Sequence, residues 1–96
     1  MNKLELLAEI IFLDDLRYTP AGIPLLSFVV QHVSEQIEAG MNRRVDCVVN
    51  VVALGAIAET AKYLKNGEQV KLIGFLAKRS VKSTQLVMHL QHIERI

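Results

Sequence analysis

Apolar and polar residues alternate with a period of two along almost the whole chain, which is the mark of strands half-buried against one core. From Leu4 onward the even positions Leu4, Leu6, Ala8, Ile10 and Phe12 are apolar, while Lys3, Glu5 and Glu9 occupy odd ones. Leu4, Leu7, Ala8 and Ile11 would also share a helical stripe, but alternation accounts for more positions. A strand is predicted here, closed by Asp14-Asp15. Thr19-Pro20-Ala21-Gly22-Ile23-Pro24 is a loop, because two prolines and a glycine exclude a helix. A second strand is predicted from about Leu25 to His32, with Leu26, Phe28, Val30 and His32 on one face, and Glu38-Ala39-Gly40 turns the chain. A third follows from about Arg43 to Ala53. Val45, Cys47, Val49 and Val51 take one side of it, and Arg44, Asp46 and Asn50 the other.

The segment from about Gly55 to Leu64 breaks this rhythm and reads as a helix. Ala56, Ile57, Ala61 and Leu64 form its apolar stripe, Glu59, Lys62 and Lys65 its wet side, and Asn66-Gly67 ends it. A fourth strand runs from about Gln69 to Lys78, with Val70, Leu72, Gly74 and Leu76 facing one way. Lys78 through Thr84 form a polar, basic hairpin tip, and a fifth strand from about Gln85 to Arg95 is apolar on both faces. This layout predicts an all-β fold: a five-stranded Greek-key barrel, the OB-fold, with one short helix between the third and fourth strands plugging one end. A sandwich would need about seven strands. Neither a repeat nor a linker interrupts it, so residues 1–96 are expected to form a single domain. Gly74, inside a strand, is expected at a bulge or a sharp barrel corner.

Net charge is only +1, but it is unevenly placed. Residues 1–41 carry two basic and six acidic side chains, and residues 42–96 carry nine basic and four acidic ones. One part of the surface should therefore be basic. The lone cysteine, Cys47, excludes an intramolecular disulfide and a multi-cysteine zinc site. Its alternation with Val45 and Val49 predicts an inert buried thiol. The longest apolar runs fall far short of the roughly 20 residues that span a membrane. Glu5 and Glu9 exclude a secretory signal, so a cytoplasmic protein with no membrane partner is expected. There is no phosphate-binding glycine loop, HExxH or nucleophile elbow, and His89 and His92 are expected on opposite faces of a strand. No enzymatic activity, cofactor or metal is expected.

Arg17-Tyr18-Thr19-Pro20-Ala21-Gly22-Ile23-Pro24, His32-x-Ser34-x-Gln36-x-Glu38-Ala39-Gly40, Arg43, Cys47, Gly74-Phe75-Leu76 and Met88-His89…Ile93 run in one order through the chain. With these elements the sequence resembles the primosomal replication protein N (PriB) family, small relatives of bacterial single-stranded-DNA-binding protein. The resemblance implies a homodimeric OB-fold that binds single-stranded DNA without sequence preference. It also implies a bridge between the restart helicase PriA and later primosome proteins in replication restart.

A sequence-tolerant single-strand binder needs cations along the phosphates and flat side chains under the bases. Lys78, Arg79 and Lys82 supply three charges to one projecting hairpin. Arg17 and Arg43 match basic family positions, and Arg44 alternates onto the face opposite Arg43. Among five aromatics, Phe12 and Phe28 are expected in the core and Tyr63 in packing at the helix. Tyr18 and Phe75 are the candidates for stacking. Familiar members of the family carry an aromatic directly after Glu-Ala-Gly and a tryptophan before the cysteine; here those positions hold Met41 and Asp46. That difference supports a second reading, a protein-interaction adaptor that docks on the helicase with little DNA affinity of its own.

Overall fold

The alternating apolar positions meet in one core once the strands close on themselves. A computed structural model describes residues 1–96. Its strands are β1 (Leu4–Leu13), β2 (Arg17–Tyr18), β3 (Pro24–Glu38), β4 (Met41–Leu54), β5 (Gln69–Lys78) and β6 (Leu86–Arg95), with the helix α1 (Ala56–Ala61) between β4 and β5. The sheet order β1-β5-β6-β4-β3-β2, with β1 also paired to β3, closes five strands into a barrel and leaves β2 as a short flap on β3. All neighbours are antiparallel except β4 and β6, which meet in parallel at Val51–Met88 and Val52–His89. This is the five-stranded Greek-key arrangement of the OB-fold.

Phe28, Ile10, Leu26, Leu72, Met88, Val30, Val51 and Val70 fill the barrel and are fully buried. Each such side chain contributes roughly 1.5–3 kcal/mol relative to exposure. Ala58, Ala61 and Leu64 cap this core from the helical segment. The helix is shorter than Gly55–Leu64: it lacks a side-chain cap, and only a turn, Leu64 N–H to Ala61 O at 3.0 Å, continues it. One and a half turns are not stable alone, so burial fixes which side faces in. Ala58 takes the place expected for Ala56, which is exposed, and Tyr63 is exposed rather than packed.

Two bulges move side chains to faces that strict alternation does not give. In the β1–β3 pairing Ile10 meets Val30 but Phe12 meets Val29, leaving Ile11 as the extra residue. One extra residue inverts the parity of everything after it. Leu13 therefore turns toward Phe28, and Phe12 stands outside at 53% exposure instead of in the core. In the β5–β6 pairing Gly74 meets Leu90 and Ile73 meets His92, so Gln91 is extra. His89 and His92 consequently share the outer face, contrary to the opposite faces expected. The predicted bulge at Gly74 is present.

Strands β3 and β4 run on past the barrel as a two-stranded ribbon, well beyond the predicted end at His32. The molecule is accordingly elongated, 49 × 32 × 21 Å, with a radius of gyration of 14.2 Å. A compact chain of this length would have about 12.5 Å. Ala39 and Gly40 both have positive φ (52° and 76°), a two-residue turn whose twist matches the flanking strands. Cys47 lies on this ribbon opposite His32 and is exposed, not buried, because the core ends at Val49. His32 ties the ribbon back to the barrel: its Nδ1 donates to the Leu7 carbonyl at 2.7 Å and its Nε2 meets Ser34 Oγ at 2.9 Å.

Candidate nucleic-acid interface

On the outer surface of the barrel, Leu25, Ser27 and Val29 of β3 stand opposite Leu54, Val52 and Asn50 of β4. With Phe12, Leu86, Val87 and His89 they line an open groove of about 450 Å³, and Arg79 and Gln85 from the β5–β6 loop complete it. No aspartate or glutamate lines it. Phe75 stacks on His89 with ring centroids 4.9 Å apart and planes 8° from parallel. Register explains the pairing, since Phe75 and His89 are direct cross-strand partners on the outer face.

The cations divide into two groups. Six of the eleven basic side chains have a carboxylate partner: Lys3–Glu5, Arg17–Asp14, Arg43–Glu38, Arg44–Asp46, Lys62–Glu59 and Arg95–Glu68. The bond from the Arg17 guanidinium, with help from the Asp15 N–H, holds the Asp14 carboxyl below the usual carboxylate range. Lys78, Arg79 and Lys82, with Lys65 and Lys71, have no such partner. Exposed ion pairs are weak, but each cancels the local field that would draw a polyanion. The uncompensated charge is concentrated at the β5–β6 hairpin.

The predicted site residues are thus only partly brought together. Lys78, Arg79 and Lys82 share the hairpin, and Phe75 adjoins the groove through His89. Arg17 pairs with the groove residue Leu25, whereas Tyr18 pairs with Pro24 on the other face. Arg43 and Arg44 lie on opposite faces of the ribbon, as their alternation predicts. Met41 and Asp46 also fall on opposite faces, and Asp46 is held by Gln31 Nε2 and by Arg44 at 3.5 Å. Phe12, which strand periodicity assigns to the core, is a groove residue, and His89 joins it from the outer face of β6. The one signal for Phe12 is that Ile10-Ile11-Phe12-Leu13 contains no polar residue to keep the alternation in phase.

Comparison with known proteins agrees with this architecture. Residues 2–92 match the family described as "Another single-strand binding protein family". The replication restart protein PriB of Bordetella pertussis is 40% identical over all of this chain and 90% of its own length. PriB of Neisseria meningitidis serogroup B is 37% identical over 97% of this chain and 92% of its own. Among solved structures, the protein PriB of Ralstonia solanacearum superposes with a TM-score of 0.89 at 27% identity, covering 100% of this chain and 99% of that one. The single-stranded DNA binding protein of Thermus aquaticus shares the fold, with a TM-score of 0.81 at 23% identity over 100% of this chain and 50% of its own. This chain belongs to the PriB family of replication restart proteins, within the wider single-strand binding protein family.

Proposed function

We propose that this protein is a non-catalytic single-stranded-DNA-binding accessory of the replication-restart primosome, acting in the cytoplasm as one OB-fold domain per protomer. The observation that carries the reading is the acid-free groove, aromatic and apolar in its lining, with Arg79 at its edge on the hairpin that also carries the unpaired Lys78 and Lys82. Single strands offer flat bases and phosphates together, and this surface complements both without reading sequence. Within the same reading the protein bridges the restart helicase PriA and later primosome proteins. Fluorescence anisotropy with labelled single strands of several lengths and base compositions, with and without purified helicase, tests it. Binding of all compositions, weakened by salt, is expected. Absence of single-strand binding together with helicase binding would replace it by the adaptor reading, which is favoured by the carboxylates paired to Arg17, Arg43 and Arg44 and by Met41 and Asp46 on the ribbon.

The assembly follows from the outer face of the ribbon and β1. Leu7, Val33, Val48 and Ile37 are all exposed there, at 57%, 49%, 58% and 73%. Two-stranded ribbons are marginal in water without a second layer, and a two-fold partner supplies one. Light scattering at tens of micromolar protein is expected to give twice the chain's 10.8 kDa. A mass of one chain at that concentration would exclude the homodimer.

A further inference from the structure

The bulge at Ile11 has one conspicuous result: it takes Phe12 out of the core and aims it into the groove that also holds His89 and Arg79. Bulges beside binding sites commonly serve to re-aim a side chain. Large exposed aromatics are costly to leave wet, yet Phe12 remains 53% exposed. The ribbon, meanwhile, has no aromatic at Met41 or Asp46 to stack on a base.

We infer that Phe12 is the principal base-stacking side chain of this protein, with His89, backed by Phe75, as a second aromatic wall of the same groove. The inference rests on the single-strand reading above and assigns the contact that reading lacks. The ligand chemistry follows from three features of the surface. No carboxylate lines the groove, and Arg79 lines it from the hairpin that also carries the unpaired Lys78 and Lys82, so the ligand is a polyanion. The exposed phenyl ring and the stacked imidazole require flat apolar groups on that polyanion. A duplex hides its bases and would use the cations but not the rings. An unpaired strand uses both, each base lying on a ring while a phosphate reaches Arg79.

The chain contains no tryptophan, so Phe12→Trp introduces the only indole and reports on this one position. Its emission is expected to be quenched by oligothymidylate and unchanged by an abasic strand of equal length. Phe12→Ala is expected to weaken binding of oligothymidylate by about five- to 150-fold, the range of one lost base stack, while leaving the abasic strand unaffected. Phe12→Tyr keeps the ring and should restore affinity. Thermal melts of each variant establish that the barrel is folded, which an exposed position allows. Equal losses on both strands, or no quenching where the unaltered protein binds, would overturn the inference and leave the single-strand reading standing on the hairpin cations. If the unaltered protein binds no single strand, both fall together. Quenching by a purified helicase but not by single strands would give the groove to protein docking and likewise overturn it.

Discussion

Replacing Gly74 with alanine is expected to lower the melting temperature by about 12–24 °C. A Cβ at this position would sit 1.9 Å from the His89 carbonyl oxygen, 2.9 Å from its carbon and 3.2 Å from Leu90 Cα. All three are main-chain atoms, so no rotamer change relieves the overlap, and the β5–β6 pairing itself must open. Overpacking costs up to about 3 kcal/mol when the surroundings cannot yield, and in a domain this small each kcal/mol moves the transition by about 4–8 °C. The contrast is Gly67→Ala, where nothing lies within 4 Å but φ is +88°. That change meets only the left-handed backbone penalty, about 1–2 kcal/mol. Far-ultraviolet circular dichroism melts of the two variants separate crowding from conformation, and an unchanged transition in Gly74→Ala would mean the bulge tolerates a side chain. Because the clash falls on His89, the same variant should also disturb the Phe75–His89 stack.

Gly74 was legible because a glycine inside an alternating strand has few explanations. The barrel strands were legible for a related reason, since each buries one face and the period of two records it directly. β5 matches its expected limits of Gln69 to Lys78, and the helix falls where the alternation stops. Legibility fails where one face no longer meets the core. Along the ribbon the apolar residues change sides: Val33 and Ile37 occupy odd positions, after Leu26, Phe28 and Val30 at even ones. A pattern that changes parity within one strand reads as the end of that strand, and so β3 looked eight residues long instead of 15. Cys47 kept the parity of the core but lay beyond its edge.

The bulge at Ile11 and the ion pairs were hidden for a different reason. Both depend on which residue of one strand faces which residue of another, and this register is not written in either strand alone. Ile11 and Gln91 each shift the phase by one, and the first of them converts Phe12 from a core residue to a groove residue. The partners of Arg43 and Arg17 likewise need the turn geometry that brings Glu38 and Asp14 near them. A count of cations therefore overstated the field on the ribbon and at β2, while the hairpin run Lys78-Arg79-Ser80-Val81-Lys82 was correctly visible as a local cluster.

Alanine at Lys78, Arg79 and Lys82 together is expected to weaken single-strand binding about 100-fold at 0.1 M salt, with the loss fading toward 1 M. Each phosphate contact on a single strand contributes roughly 0.7 to the slope of log affinity against log salt, so three contacts give a slope change of about 2. Over one decade of salt that slope change is a factor of about 100. The loss should be the same for every base composition, since phosphates carry no sequence. This distinguishes the hairpin from Phe12, whose contribution should be indifferent to salt and absent from abasic strands. The barrel should survive the triple change because all three side chains are exposed and the hairpin is held by its main chain, with Arg79 N–H donating to the Gln85 carbonyl at 2.9 Å. Titrations across a salt series, beside a thermal melt, measure both quantities. An unchanged slope in a folded variant would remove the hairpin from the DNA path. The phosphates would then have to be met by the other unpaired cations, Lys65 and Lys71, or by Arg17, Arg43 and Arg44, each exchanging its carboxylate for the strand.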